Sequence, residues 1–350
     1  MEVENNISMS KITTKVVMTL LFIATCLTTS AQQATVRQAL KALQAEDLET
    51  AKGFIDSAAV HEETKDSSST WYYRGFIYKK VYNSTEKSNK NSSARDVSVE
   101  SFKIFFELDK KSELFETAYK SVKYLASTYY NDAANALTEN PERYELAIIN
   151  FEKHKQTMLL IDPNHDFRSL EMQFFLVLGQ VYNQLYERDR EKNTSFYEKT
   201  EDAYKLVLGV DSNNLSANYN LAILYYNEGV NIIKNLDYDL DLITLTLIQD
   251  EVVVLFQRAL PYAERAYLLN PCRKETLIML SGIYFSLNEM EKSQQIQMEL
   301  EGIEKIGEYR ELLKRVSGLQ EGTDEFNNVQ NKIKELIENY SKINYCSGIK

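Results

Sequence analysis

The chain has 350 residues, of which 44% are hydrophobic and 26% charged, so it can fill an extended or two-part core. Only 11 Gly and 4 Pro occur, too few for the turns of a β-sandwich or barrel, whereas the abundant Leu, Glu, Lys and Ala favour helices. We therefore expect an all-α protein, and the net charge of -11 works against general affinity for nucleic acid or anionic lipid.

The N-terminal segment 1–31 is typical of a secretory signal peptide. Lys11 and Lys15 precede an apolar run at residues 16–27, and small residues follow up to Ala31. The run is shorter than the roughly 18 to 20 apolar residues that a bilayer span needs. We therefore predict cleavage after Ala31 and export of the mature chain to the periplasm or cell envelope.

The chain has three cysteines, and the one inside the leader bears on anchoring. The alternative to a cleaved, unanchored chain is a lipoprotein acylated at Cys26, although Thr25 before it fits that signal poorly. After cleavage Cys272 and Cys346 remain, outside any CxxC spacing, so neither a disulfide framework nor a zinc cluster is predicted. We expect Cys272 in an inter-helix turn and Cys346 in a frayed tail; a bond between them in an oxidising compartment is the alternative.

Downstream of the leader, small and apolar residues recur at helical spacing. Ala259, Ala263 and Ala266 lie at i, i+4 and i+7, on one helix face, where small side chains let a second helix approach closely. Pro271 then ends that helix, and a new apolar stripe begins at Leu277. The stretch therefore predicts a helix, a tight turn and a second helix.

The same arrangement recurs along the chain, which indicates internal repeats. First-helix segments read WYYRGFIY (71–78), VKYLASTY (122–129), FLVLGQVY (175–182), NYNLAILY (218–225) and LIMLSGIY (277–284). Second-helix segments read LETAKGFIDSA (48–58), YELAIINF (144–151), YEKTEDAYKLVLGVDSN (197–213) and the alanine face before Pro271.

This pattern resembles the tetratricopeptide repeat (TPR), a helical hairpin of about 34 residues with small and aromatic residues at set positions. The resemblance covers roughly residues 38–297 and identifies the chain with exported bacterial TPR proteins. It implies an all-α, right-handed superhelical solenoid, with a repeat domain at 32–298.

Departures from the repeat length predict unusual hairpins. Tyr225 and Ala259 lie 34 positions apart where a regular repeat has nine, an insertion of 25 whose apolar residues indicate that both helices continue and pack. The polar stretch 84–96 predicts a mobile loop. The segment 299–350 contains two amphipathic helices, expected to cap the last hydrophobic edge; a partner-binding helix pair is the alternative.

Motifs for catalysis or metal binding are incomplete. HEETK begins at His61 like a zinc-protease helix, but Lys65 occupies the place of the second histidine. The segment 237–241 imitates the start of a calcium loop, yet Leu242 and Ile248 occupy the glycine and glutamate positions. We therefore predict no catalytic residue, no cofactor and no metal.

The TPR resemblance implies a non-enzymatic scaffold that binds a protein or peptide segment in a concave groove formed by the first helices. The family's groove positions fall on Tyr72, Phe76, Lys79, Lys123, Tyr130, Gln180, Asn183, Tyr219, Tyr226 and Phe285. The two lysines favour an acidic stretch on the partner. If the groove is not the contact surface, the hairpin tips at 84–96 and 230–255 are the alternative sites.

Two other function classes stay open at this point. A helical glycan-capture protein of the outer surface can contain such repeats, but sugar platforms usually use exposed Trp faces and Trp71 is the only Trp. An unrecognised hydrolase would need a nucleophile and base pair, and no spacing in the sequence marks one.

Overall fold

The computed structural model describes residues 34–86, 92–237, 239–340 and 345–346, and the predicted signal peptide lies outside them. Every regular element in these ranges is helical, which confirms the all-α prediction. The α-helices are α1 (34–44), α2 (Leu48–Val60), α3 (Ser68–Val81), α4 (Ala94–Leu108), α5 (Phe115–Glu139), α6 (Tyr144–Leu159), α7 (Arg168–Arg188), α8 (Ser195–Val210), α9 (Leu215–Lys234), α10 (Leu242–Leu269), α11 (Lys274–Ser286), α12 (Met290–Glu304), α13 (Ile306–Ser317) and α14 (Asp324–Asn339).

The helices belong to two compact units. Unit 1 comprises the residues up to Glu139 together with Glu145–Asp166, and unit 2 comprises Asn140–Tyr144 together with the residues from Phe167 onward. In unit 1, α3 packs between α2 and α4 and also contacts α5. In unit 2, each helix from α7 to α12 packs on the next, and α9 also contacts α7 and α11. Within each unit this is the contact order of helical hairpins stacked in sequence, as the repeats predict.

Small residues mark where the two helices of a hairpin cross. A Cβ atom placed on Gly75 of α3 would lie 3.0 Å from the ring of Phe102 in α4. On Gly179 of α7 it would lie 2.6 Å from the ring of Tyr204 in α8. The sequence placed both glycines at small-residue positions, and the structure confirms that an aromatic ring of the second helix fills the space a side chain would need.

The alanine face of α10 is also confirmed, because Ala259, Ala263 and Ala266 are all fully buried. They belong to the core of unit 2 or border it, opposite Leu221 of α9 and Leu277 of α11. Small side chains in this row allow both neighbouring helices to approach α10 closely.

Tyrosines on first helices bond to carboxylates on the preceding helix. The Tyr78 hydroxyl donates to Asp56 of α2 at 2.6 Å, and the Tyr284 hydroxyl donates to Glu264 of α10 at 2.7 Å. Tyr129 of α5 donates in the same way to an Asp in the first turn of α4. Burial, followed by the bond to Asp56, raises the pKa of Tyr78 to about 12. These tyrosines therefore join successive hairpins.

The expectations for the two long hairpins had different outcomes. The predicted loop at 84–96 is wrong at both ends, because Tyr82–Glu86 forms a π-helical turn and α4 begins at Ala94. The prediction that both helices of the long insertion continue is confirmed: α9 extends to Lys234 and α10 begins at Leu242.

The C-terminal region contains the two predicted amphipathic helices, α13 and α14. They bury Tyr309, Val329 and Ile333 against each other in a small cluster of their own. The predicted domain boundary after residue 298 falls inside α12, which runs to Glu304. The capping role of the helix pair stays a prediction.

A disulfide bond joins Cys272 to Cys346, whose Cα atoms are 5.6 Å apart. Cys272 lies in the turn before α11, as the sequence predicted. The preference for two unpaired cysteines was wrong, because the chain after α14 returns to that turn. This return depends on the packing of four helices, which the spacing of the two cysteines does not reveal.

Candidate functional site

Five of the predicted groove residues lie in unit 1, and one of them is not accessible. Tyr72 is only 7% exposed, with its ring centroid 6.2 Å from that of Phe102 and 5.6 Å from that of Phe105. The prediction of an exposed aromatic anchor at Tyr72 was therefore wrong, because two aromatic side chains of α4 enclose it. Phe76 is half-buried one turn further along α3, with its ring centroid 6.3 Å from that of Tyr72.

The two predicted groove lysines differ in exposure. Lys79 is half-buried, and its Nζ donates to the Ser121 hydroxyl at 2.8 Å and lies 5.5 Å from the ring centroid of Phe76. Desolvation lowers the pKa of Lys79. Lys123 is exposed. Of these two lysines, Lys123 is therefore the one that offers a solvated charge to an acidic partner segment.

Tyr130 of α5 is half-buried and takes part in helix packing. Its ring centroid lies 5.5 Å from that of His154 and 6.5 Å from that of Phe151, both on α6. Its exposed edge is the part that a partner could reach.

The other five predicted groove residues lie in unit 2, where two tyrosines pack against neighbouring helices. Tyr226 of α9 lies over Gly282 of α11, where an added Cβ would be 2.6 Å from its hydroxyl oxygen. Burial raises the pKa of Tyr226. The ring of Tyr219 lies beneath the Arg273 guanidinium, 3.4 Å from centroid to Cζ. Both side chains are half-buried, so each offers one edge to solvent.

The remaining unit 2 residues are more accessible. Gln180 of α7 is exposed and Asn183 is half-buried. Phe285, at the end of α11, is 59% exposed, which is unusual for a large aromatic side chain. Phe285 directly precedes Ser286, which lines an apolar cavity. The predicted groove residue with the most exposed ring is therefore the sequence neighbour of a residue that lines the cavity.

The cavity exists because α10 is much longer than α11. At about 1.5 Å per residue, the 28 residues of α10 extend roughly 42 Å, against roughly 20 Å for the 13 residues of α11. Because α11 begins at the turn after α10 and runs back along it, α11 ends near the middle of α10. The first half of α10 and the end of α9 continue beyond it.

We call the space at this point the tip cavity, with a volume of about 370 Å³. It is lined by Ile233, Leu236, Leu245, Ile248, Gln249, Val252, Val253, Phe256 and Ser286. On α10, the lining residues recur at helical spacing, and Leu242 continues the row outward with 79% of its surface exposed. The opposite face of α10 also exposes apolar residues, among them Ile243 and Leu247.

Carboxylates surround this end of unit 2. The segment 234–254 contains five acidic residues, which are Asp237, Asp239, Asp241, Asp250 and Glu251, and one basic residue, Lys234. All of them are exposed. Asp241 begins α10 by accepting hydrogen bonds from the backbone and hydroxyl of Thr244, which lower its pKa. The tip cavity is therefore an apolar surface in a negatively charged setting.

The histidines have local packing or surface roles. His154 is buried, with Nδ1 2.9 Å from the carbonyl oxygen of Ala126, and His165 contacts Asp162. His61 Nδ1 accepts from the backbone N–H of Glu63. Among the residues that the structure describes, no group of three or more His, Cys, Asp or Glu side chains could hold a metal ion.

The packing of this chain defines its class: an all-α protein built from TPR-like helical hairpins. No protein-family model matches the sequence, and no curated protein matches it. Among solved structures, a TPR repeats protein from Bacteroides fragilis NCTC 9343 is similar, at 16% identity and a TM-score of 0.36. That match covers 72% of this chain and 97% of the other. In the described part of the chain, no helix has the length and apolar character needed to cross a bilayer.

Proposed function

We propose that this protein is a non-enzymatic interaction scaffold that binds a segment of another protein at the tip of the α9–α10 hairpin. The observation that carries the proposal is the tip cavity, an apolar surface left uncovered where α10 extends beyond α11. A helix with apolar residues on opposite faces is normally covered on both. Here Leu242 is 79% exposed on the cavity side and Leu247 is 64% exposed on the other.

The contact surface extends from the tip cavity to the predicted groove residue Phe285. An exposed aromatic ring is a typical anchor for a protein partner, and Phe285 directly precedes the cavity-lining Ser286. The neighbouring first-helix residues Gln180, Asn183, Tyr219 and Tyr226 are further proposed contacts in unit 2. In unit 1, Lys123 and the exposed edges of Phe76, Lys79 and Tyr130 keep that role as proposals.

We also propose that the mature protein acts outside the cytoplasm, in the periplasm or cell envelope. Two observations support this location: the leader-like sequence at 1–31 and the Cys272–Cys346 disulfide. Disulfides form and persist in oxidising compartments and are rare in the cytosol.

Site-specific photocrosslinking in cells of the source organism tests the binding proposal. A photoreactive amino acid at Leu242 should give adducts of discrete mass. The matched control is Leu268, at the other end of the same helix and 66% exposed. Equal adduct patterns at both positions, or none at either, would refute binding at the tip.

A further inference from the structure

The tip cavity has a shape and a charge that restrict what can occupy it. We infer that its occupant is an apolar helical segment of another protein, flanked by Lys or Arg residues. This inference rests on the proposed function and specifies the chemistry of the partner.

The walls of the cavity favour a helical occupant over an extended one. From Leu242 to Phe256 the apolar row on α10 is roughly 21 Å long at about 1.5 Å per residue. The lining residues belong to α9, α10, α11 and, at Leu236, the connection between α9 and α10, so none of them lies on a β-strand. An extended segment would find no β-sheet edge with which its backbone N–H and C=O groups could pair, whereas a helix satisfies these groups internally.

The volume of about 370 Å³ has room for a few aliphatic side chains rather than a whole helix. An amphipathic helix lying along α10 would insert such side chains and leave its polar face in water. Phe285 is exposed one residue before the cavity-lining Ser286, so it is a candidate for a further contact with the incoming helix.

Charge indicates what flanks the apolar segment. The α9–α10 connection contributes Asp237, Asp239 and Asp241 next to the cavity-lining Leu236 and Leu245. Within the described ranges, these three carboxylates form no ion pair with a Lys, Arg or His side chain. Basic residues at the end of a bound segment would be attracted to them, and acidic residues would be repelled.

The same charges argue against two other occupants. A two-fold contact between copies of this chain would bring the same acidic segment into the interface from both sides, with Lys234 as its only basic residue on each side. Membranes rich in anionic lipid would also be repelled, because their surface potential is negative. A basic segment of a different protein fits both the apolar row and the carboxylates.

The test measures binding of synthetic helical peptides to the protein from Gln32 to Lys350 by fluorescence anisotropy. One peptide has a Leu stripe flanked by Lys, a second has the same stripe flanked by Glu, and a third has Lys flanks with Ser replacing the stripe. We expect the Lys-flanked Leu peptide to bind about tenfold or more tightly than the other two, with a preference that weakens at high salt.

Paired variants separate the apolar and charged contributions. Leu242→Ser with Ile233→Ser should abolish binding of the Lys-flanked peptide, whereas Ile243→Ser with Leu247→Ser, on the opposite face of α10, should not. Asp237→Asn with Asp239→Asn should reduce the preference for Lys over Glu flanks. Glu198→Gln with Asp202→Asn, which removes as many charges from exposed positions of α8, should leave it intact. Circular dichroism verifies that each variant is folded.

Each contrary result has a distinct meaning. Equal binding of both Leu peptides would overturn the inferred basic flanks but leave apolar docking at the tip. Binding of none of the peptides, together with failure of the crosslinking at Leu242, would overturn both proposals. A wild-type dimer that Leu242→Ser dissociates, or adhesion to phosphatidylcholine–phosphatidylglycerol vesicles that the same change abolishes, would overturn the inferred occupant.

Discussion

The replacement Gly179→Ala tests how closely α7 and α8 approach each other. The added Cβ would lie 2.6, 2.9 and 3.0 Å from three ring atoms of Tyr204, well inside the ~3.5 to 4.0 Å of carbon–carbon contact. Tyr204 is buried in the core of unit 2, so its ring has little room to move. Overpacking of this kind costs about 1 to 3 kcal/mol, against a gain of about 1 kcal/mol in helix propensity.

Gly209→Ala is the matched control, because Gly209 is exposed on α8 of the same hairpin and a Cβ there meets nothing within 4 Å. It should gain up to about 1 kcal/mol in the free energy of unfolding. The difference between the two variants should therefore be about 1 to 3 kcal/mol, measured by urea denaturation followed by circular dichroism. Equal stabilities would refute the close crossing, as would an unchanged cost of Gly179→Ala in a Tyr204→Leu background.

Three further predictions concern alkaline pH, the disulfide and export. The free energy of unfolding should fall as pH rises from about 10 to 12. The pKa of Tyr78 is about 12 in the folded protein and about 10 in the unfolded chain, so the unfolded state loses the proton first. Tyr78→Phe should weaken this pH dependence in urea melts. Cys346→Ser, or reduction with dithiothreitol, should lower the free energy of unfolding by about 4.4 kcal/mol, the loop-closure value for 74 residues, measured by the same melts. N-terminal sequencing of the exported protein should give Gln32.

A specific result would contradict each of these three predictions. The first is wrong if Tyr78→Phe leaves the slope of stability against pH unchanged above pH 10. For the second, melts that overlay with and without reductant would show that the bond contributes nothing. For the third, a mature protein that begins at an acylated Cys26 would show that the chain is a lipoprotein and that the predicted cleavage after Ala31 is wrong.

The features that the sequence predicted correctly depend on short-range geometry. The match to the TPR pattern places Gly75 and Gly179 at small-residue positions, and helical spacing puts Ala259, Ala263 and Ala266 on one face. Each such inference needs only the residues within two turns of one helix. For this reason the hairpins and their small-residue positions agree with the structure.

The features that the sequence missed depend on a neighbouring helix. Tyr72 is buried because Phe102 and Phe105 of α4 surround it, and no pattern within α3 carries that information. The long α9–α10 insertion was interpreted as two helices that continue and pack. They do continue, but α11 ends at Ser286, too early to cover the start of α10. The exposed tip therefore follows from the unequal lengths of two consecutive helices, which the pattern within either helix does not reveal.

The bond between Cys272 and Cys346 also determines how the protein would respond to mechanical force. A pull between the N-terminus and Cys346 passes through the two sulfur atoms and bypasses the chain between them. At about 3.6 Å per residue, the 74-residue separation corresponds to roughly 27 nm of contour length, which can be extended only after the disulfide is reduced. Helices α11 to α14 therefore carry no tension along their backbone, whereas α10 and the hairpins before it can be extended.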